Sequence, residues 1–250
     1  MIEIEHLTKI YPSGTKAIDD LNLAISNGML GLVGPNGAGK TTLMRILATL
    51  LHPTFGQVRV FGYPLDQPAG QAAVRGMLGY LPQEAGYHEK LTVEQELDYM
   101  ALLKGIAQTR ERKQALEHAL EQAGLRAVRR ERVRALSGGM KRRLGIGIAL
   151  LGEPRLIIVD EPTAGLDPAE RAHFRQTLLE LAGDRVVILS THIIEDVSQA
   201  CQDLAVLCSS KLVYRGAPSS LIQKAQANIS KPTLEAAYLW LVQEIEPNLS

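Results

Sequence analysis

The sequence predicts an α/β fold, with a mostly parallel β-sheet that carries helices on its faces and a helical subdomain inserted midway along the chain. Three observations support this prediction. Strand-like apolar runs separated by Gly and Pro dominate the early part of the 250 residues. Between about residues 91 and 151 the apolar positions follow a helical period instead. After residue 155 strand and helix alternate again, which is typical of a parallel sheet.

The predicted strands are short apolar runs bounded by turn residues. The early ones cover residues 2–7, 21–26, 29–33, 58–61 and 77–81. The later ones cover residues 156–159 and 186–190, followed by a hairpin of 203–208 and 211–215 around two serines. The run at 156–159 is apolar at every position, which predicts a central strand buried on both faces.

The predicted helices are placed by spacing and by capping residues. Apolar residues at 43, 46, 47 and 50 have helical spacing, so a helix follows the glycine-rich turn after strand 29–33. Thr92 and Gln95 form a capping-box pattern that opens the helical insert, which continues with helices at 108–122 and 139–151. Asp167 is expected to cap a further helix with proline at its first position. Two amphipathic helices are predicted in the tail.

Composition excludes several classes of protein. With 46% hydrophobic and 22% charged residues, the chain is neither collagen-like, nor disordered, nor a disulfide scaffold. Lys and Arg together equal Asp and Glu at 27 each, so no overall charge attracts nucleic acid or anionic lipid. We therefore expect no nucleic-acid partner.

Two further observations concern location. Cys201 and Cys208 match no zinc or redox spacing, so we expect two buried thiols in a reducing compartment. The chain starts with Glu3 and Glu5 where a secretory signal would carry positive charge. The longest nearly uncharged apolar run, residues 144–152, is far shorter than the roughly 20 residues of a membrane helix. We therefore predict a cytoplasmic chain that does not itself span a membrane.

A phosphate-binding loop is predicted between strand 29–33 and the helix that follows it. The segment has the pattern of Gly, four residues, and Gly-Lys-Thr. Small residues allow backbone N–H groups to surround a phosphate, and the helix amino terminus adds partial positive charge. Lys40 would reach the β- and γ-phosphates, and the Thr41 hydroxyl would hold magnesium. The alternative is an ordinary glycine-rich turn. The loop residues are Gly34, Pro35, Asn36, Gly37, Ala38, Gly39, Lys40 and Thr41.

Two acidic residues follow the buried strand 156–159. Asp160 and Glu161 are expected at the carboxyl end of a central strand, the edge where ligands bind in open α/β sheets. Asp160 could hold magnesium, and Glu161 could accept the proton of a water that attacks a γ-phosphate. The alternative is a solvated acid pair at a strand end.

A second glycine-rich turn lies shortly before this acidic strand. Residues 136–140 read Leu-Ser-Gly-Gly-Met, and a capping serine followed by two glycines at a helix start is a second candidate phosphate site. Here the sequence resembles the ATP-binding subunits of ABC transporters, whose signature is Leu-Ser-Gly-Gly-Gln. Met140 departs from the usual glutamine. Other features of the family follow in order, namely Tyr11, Gln83, residues 164–167 and His192.

The resemblance implies a P-loop NTPase fold over residues 1–250 as one ATP-binding domain with an antiparallel amino-terminal β portion. It assigns 1–83 and 152–218 to the nucleotide-binding core, 84–151 to the helical subdomain and 219–250 to a short helical tail. It implies ATP and Mg²⁺ as cofactors, with Glu161, His192 and Lys40 catalytic. Magnesium would be held by Thr41, Gln83 and Asp160. The ATP-binding residues would be Tyr11, residues 34–41, Thr42, Gln83, Ser137, Gly138 and Gly139.

The resemblance also implies partners. Two such domains pack head to tail, so that Ser137, Gly138 and Gly139 of one contact the γ-phosphate bound by the other, and Asp167 couples the two sites. The second subunit could be identical or different. A separate integral membrane permease would contact residues 83–100, which places the chain at the inner face of the cell membrane. Similarity to export-type subunits favours export.

Two alternatives remain open from the sequence. The first is a soluble ATPase without a permease, as in DNA maintenance or translation, although the insert is too short for a long coiled coil and a single nucleotide domain is present. The second is a non-hydrolysing binding module, which the presence of Glu161 and His192 disfavours. Eight Arg or Lys lie within residues 126–143, and such a run is most often a solvated helix face.

Overall fold

The computed structural model describes residues 1–163 and 166–245. Its strands are β1 Ile2–Ile10, β2 Lys16–Ile25, β3 Gly28–Val33, β4 Phe55–Val60, β5 Tyr63–Pro64, β6 Leu78–Leu81, β7 Leu156–Asp160, β8 Val186–Thr191, β9 Asp203–Cys208 and β10 Lys211–Gly216. Its α-helices are α1 Lys40–Leu47, α2 Pro68–Gly76, α3 Val93–Leu103, α4 Thr109–Gln122, α5 Gly138–Leu150, α6 Pro168–Leu181, α7 Ile194–Ala200, α8 Pro218–Ala225 and α9 Leu234–Ile245. Short 3-10 turns cover Arg126–Val128 and Val133–Ala135.

Two sheets form the core. The amino-terminal sheet is antiparallel with strand order β2-β1-β4-β5. The larger sheet has the order β10-β9-β3-β8-β7-β6, in which β9, β3, β8, β7 and β6 run parallel and β10 is antiparallel to β9. This architecture confirms the predicted fold class.

The parallel sheet is buried because both of its faces are covered. Every residue of β7 and β8 is buried. Alternate residues point to opposite faces, so Leu156 and Ile158 join a core shared with α1 and the antiparallel sheet. Ile157 and Val159 join a second core with α6, α7, α8 and α9. The uninterrupted apolar run thus supplies two cores from one strand.

Helices α3, α4 and α5 share a third, separate hydrophobic core. The capping box predicted at its start is present: the Thr92 hydroxyl accepts from the Gln95 N–H, and the Gln95 side chain accepts from the Thr92 N–H. A third, small core explains how this insert folds on the large sheet without interrupting the strand order.

Some elements differ from the prediction. Strand β2 begins at Lys16 and not at residue 21 as predicted. Its first residues pair with β1 as far as Ile10, but several of them are polar and therefore form no apolar run. Helices α2 and α7 were not predicted, since each is short and α2 buries a polar side chain, Gln71, that donates to a backbone carbonyl. Both cysteines are buried, as expected. Within the described ranges, no helix has the length and apolar character needed to cross a membrane.

Candidate functional site

A cleft of about 660 Å³ opens at the carboxyl ends of the parallel strands. It lies where the loop after β3, the residue after β7 and the residue after β8 meet. Residues of the antiparallel sheet and Gln83 complete its walls. The lining residues are Tyr11, Thr15, Ala17, Asn36, Gly37, Gly39, Lys40, Thr41, Thr42, Gln83, Glu161 and His192. Most of the predicted nucleotide and catalytic residues therefore share one cleft.

The backbone of the phosphate loop requires its glycines. Gly37 and Gly39 have φ values of 82° and 102°, a region that other residues rarely adopt. A Cβ at Gly39 would collide with the Ala17 carbonyl, and one at Gly34 with the Leu207 carbonyl. Gly39 is also the residue that precedes α1, with no side-chain cap. Residues 39–42, where α1 begins, line the cleft, and among the described residues no side chain caps this helix.

Lys40 lies inside the loop that precedes it. Its side chain is buried, and Nζ donates to the Gly34 carbonyl at 2.7 Å and to the Pro35 carbonyl at 3.0 Å. Burial lowers the pKa of Lys40, and the carboxylates of Glu161 and Asp160 oppose this effect by favouring the charged ammonium. Two backbone carbonyls thus hold the Lys40 amino group at the floor of the cleft.

Tyr11 stands at one wall of the same cleft. Its hydroxyl lies 3.2 Å from the Thr42 Oγ1, and Lys9 Nζ lies 5.6 Å from the centre of its ring. The side chain of the residue that follows β1 thus contacts the first turn of α1. The partly exposed ring of Tyr11 offers a flat apolar surface beside the phosphate loop.

Asp160 ends β7 and is buried, with 1% of its surface exposed. Burial raises its pKa, and the charge of Lys40 acts in the opposite direction. Among the described residues, neither Asp160 Oδ1 nor Ser190 Oγ has a hydrogen-bond partner. A buried carboxylate oxygen without a partner is costly. The hard oxygen donors of Asp160 and Thr41 at the cleft fit a hydrated magnesium ion.

Glu161 follows Asp160 in a left-handed backbone conformation with φ of 45°. Its N–H donates to the Ser190 carbonyl at 3.0 Å. Its carboxylate Oε2 lies 3.1 Å from Nδ1 of His192, and the side chains are 13% and 52% exposed. The two predicted catalytic groups therefore contact each other at the edge of the cleft.

The signature turn lies elsewhere. The Ser137 hydroxyl caps α5 by accepting from the Met140 N–H at 3.2 Å, and Ser137 and Gly138 are exposed. None of Ser137, Gly138 and Gly139 lines the cleft of the phosphate loop. Met140 packs its half-buried side chain against the core of α3, α4 and α5. The structure thus brings most of the predicted site residues to one cleft and leaves the signature turn outside it.

A second cleft, of about 460 Å³, separates the Gln83 segment from the start of α5. Arg142 Nη1 donates to the Gln83 carbonyl at 2.6 Å, and the Tyr87 hydroxyl donates to the Lys141 carbonyl at 2.9 Å. Burial raises the pKa of Tyr87 to about 12, so the phenol stays a donor at neutral pH. The contribution of Lys141 and Arg142 to this cleft was not predicted, because it depends on how α5 packs on β6.

Other predicted features are placed as follows. Residues 164 and 165 lie outside the described residues. Asp167 caps α6, since its Oδ1 accepts from the Glu170 N–H at 2.8 Å. In the basic run, Arg129 is paired with Glu94 and Glu117 across the helical subdomain. Such pairing favours the interpretation of an ordinary solvated surface for that arginine.

Comparison with known proteins gives a consistent result. The family model described as ABC transporter matches residues 18–164. The probable multidrug ABC transporter ATP-binding protein YbhF of Escherichia coli is 39% identical over 225 residues, which is 89% of this chain and 38% of YbhF. The chain therefore spans much less than the whole length of that relative. The uncharacterised ABC transporter ATP-binding protein YxlF of Bacillus subtilis is 34% identical over 231 residues, which is 92% of this chain and 75% of YxlF.

A solved structure shows the same architecture. The dimeric structure of MJ0796, a bacterial ABC transporter cassette, superposes with a TM-score of 0.78 at 26% sequence identity. The match covers 87% of this chain and 98% of that one. The family resemblance that the motifs indicated is thereby confirmed.

Proposed function

This chain belongs to the ABC transporter family as an ATP-binding, ATP-hydrolysing domain, and from that premise we propose that it drives an integral membrane permease. The ATP-hydrolysing role rests on one cleft in which a glycine-rich phosphate loop, a buried lysine and the Glu161–His192 pair meet, and the transporter names of the relatives support the permease. Residues 1–83 and 152–218 would form the nucleotide-binding core. Residues 84–151 would form the helical subdomain, and 219–250 the tail.

ATP would bind with its adenine on Tyr11 and its phosphates in the loop of residues 34–41. Lys40 lies in this loop and would contact the β- and γ-phosphates in place of its present carbonyl partners. The amino terminus of α1, with Thr41 and Thr42, adds N–H donors and partial positive charge to the same position.

Magnesium would be held by Asp160, Thr41 and Gln83. Bound there, it would neutralise charge that develops on the phosphate oxygens. The unpartnered, buried Oδ1 of Asp160 supports this assignment. Gln83 and Thr41 both line the cleft.

Glu161 would accept a proton from water at the γ-phosphate. Its Oε2 lies 3.1 Å from Nδ1 of His192, which orients the carboxylate and leaves the rest of a half-exposed imidazole available to the phosphate. Catalysis would therefore depend on fixed charges and on the placement of one carboxylate.

A second ATP-binding subunit would complete the site. Ser137 and Gly138 are exposed and lie outside their own chain's cleft, which supports contact with a nucleotide held by another subunit. The solved MJ0796 cassette is a dimer. In a head-to-tail dimer, Ser137, Gly138 and Gly139 would contact the partner's γ-phosphate, and Asp167 at the start of α6 would link the two sites.

The permease would dock in the second cleft and along residues 83–100. Hydrogen bonds of Arg142 and Tyr87 connect this segment to α5. A movement of the segment when the permease binds would therefore be transmitted to the signature turn at the start of α5. The name of the YbhF relative, a probable multidrug transporter protein, supports export. The chain would then lie on the cytoplasmic face of the cell membrane.

The test compares the purified chain with Glu161→Gln and, as control, Glu195→Gln, which neutralises an exposed acid on α7. We expect ATP hydrolysis to fall by about 10²–10³-fold in Glu161→Gln, since this is the scale of losing one preorganised group. ATP binding should persist, and Glu195→Gln should hydrolyse ATP normally. Affinity purification from solubilised membranes should recover an integral membrane protein. Recovery of none, with an active ATPase, would contradict the permease proposal.

A further inference from the structure

A second acidic side chain near the catalytic pair is fully buried. Asp196 lies in the first turn of α7, four residues after His192, and is 1% exposed. Its Oδ2 accepts from the Thr163 hydroxyl at 2.6 Å, and its Oδ1 accepts from Arg175 Nη1 at 2.7 Å. A carboxylate leaves water at a high cost unless it is paired and hydrogen-bonded. Both oxygens of Asp196 meet this condition.

The Thr163–Asp196 bond runs beside the Glu161–His192 contact. Thr163 is buried and lies two residues after Glu161, while Asp196 belongs to the helix that follows His192. The segment after β7 is thus joined to the segment after β8 at two places. One contact is at the edge of the cleft and partly exposed, and the other is in the protein interior.

The conformation of Glu161 needs such support. Its φ of 45° lies in the left-handed region, which costs free energy for a residue with a side chain. Strained residues keep their conformation only when the surroundings fix it. The Ser190 carbonyl holds the Glu161 N–H on one side, and Thr163 anchors the chain immediately beyond.

We propose that Asp196 is a positioning residue, which acts through Thr163 to keep the Glu161 carboxylate beside His192. Through Arg175 the same carboxylate connects this arrangement to α6, the helix that begins after Asp167. The inference rests on the proposed roles of Glu161 and His192. It adds a buried connection between α7 and two parts of the β7–β8 connection, Thr163 and helix α6.

The experiment uses a matched pair at position 163. Thr163→Val keeps the shape of the side chain and removes the hydroxyl, whereas Thr163→Ser keeps the hydroxyl. We expect Thr163→Val to lower kcat by about tenfold, since small misplacement of a reacting group has effects of this order or larger. KM for ATP should stay unchanged. Thr163→Ser should retain most of the parent kcat, and Asp196→Asn should lose at least as much as Thr163→Val.

A double-mutant comparison separates positioning from general stability. If Thr163 acts through the catalytic pair, Thr163→Val in a His192→Ala background should change kcat by less than twofold, roughly the limit of measurable coupling. Glu195→Gln on the same turn of α7 is the charge-matched control. A parent-like kcat in Thr163→Val, or an equal loss in both backgrounds, would overturn the inference.

A measurement that does not depend on ATP hydrolysis tests the inference separately from the proposed function. The imidazole resonance of His192, identified by its loss in His192→Ala, should shift in Thr163→Val and remain in place in Thr163→Ser and Glu195→Gln. An unmoved resonance would also overturn the inference. A parent chain that failed to hydrolyse ATP would instead contradict the proposed function, and the resonance would still decide whether Thr163 positions His192.

Discussion

The phosphate loop and the signature turn are both glycine-rich turns at the start of a helix, yet their surroundings differ. Gly39 precedes α1 in a left-handed conformation and is enclosed by backbone from the antiparallel sheet. Ser137 caps α5 with its side chain in an exposed turn, and a Cβ on Gly138 would meet none of the described residues within 4 Å. The phosphate loop is fixed by its own chain, whereas the signature turn leaves open space for a partner.

The largest expected effect follows from the enclosed turn. Gly39→Ala would place a Cβ against the Ala17 carbonyl in a backbone conformation unfavourable to alanine. We expect ATP binding to be lost and the free energy of unfolding to fall by at least about 2 kcal/mol. Titration with a fluorescent ATP analogue and denaturant unfolding check both results.

Gly138→Ala is the matched control for this change. Because the space around Gly138 is open and its φ is not positive, the chain should fold and bind ATP as the parent does. ATP-dependent dimerisation should weaken. If Gly138→Ala lost ATP binding in the single chain to the same extent as Gly39→Ala, the contrast between the two turns would be wrong.

The next effect concerns the buried carboxylate beside the loop. The folded protein raises the pKa of Asp160, so at neutral pH the charged carboxylate destabilises the fold. Asp160→Asn should therefore raise the free energy of unfolding by about 1 kcal/mol at pH 7, while ATP hydrolysis is lost. Unfolding curves measured over a pH series check this prediction.

The sign of its pH dependence follows from linkage. As pH falls towards about 4, the ordinary range of an aspartate, Asp160 takes up its proton in the folded state before the unfolded state does. The stability difference between Asp160→Asn and the parent should then shrink. A difference that grew on acidification would contradict the interpretation that burial of the charged Asp160 carboxylate destabilises the fold.

The smallest expected effect concerns the signature turn. Ser137→Ala removes the hydroxyl that accepts from the Met140 N–H and should lower the free energy of unfolding by about 1 kcal/mol, as for other caps. ATP binding by one chain should not change. Differential scanning calorimetry and ATP titration measure the two quantities, and weakened ATP binding by the isolated chain would show that the turn already belongs to its own cleft.

The sequence predicted the phosphate loop, the acidic strand end and the caps at Thr92, Ser137 and Asp167, because each of these features is local. A helix start or a turn is encoded within a few residues and needs no tertiary information. The apolar strands were predicted for the same reason, since burial on both faces leaves an uninterrupted hydrophobic run.

Contacts between distant segments could not be predicted in this way. Thr15 and Ala17 line the cleft only because the antiparallel sheet folds over the phosphate loop. Asp196 and Thr163 are 33 residues apart, and neither has a pattern that distinguishes it from a surface residue. The bond from Arg142 to the Gln83 carbonyl spans 59 residues. Strand order and helix packing create these contacts.

The central claim is that the cleft of one chain is completed by the signature turn of another. Two variants test it directly: Lys40→Met disables the phosphate loop, and Ser137→Arg blocks the signature turn. Each variant alone should hydrolyse almost no ATP. In an equal mixture, half of the dimers contain both variants, and each of these has one intact site out of two. We predict recovery of about a quarter of the parent activity in the mixture, whereas a mixture as inactive as its separate components would contradict the claim.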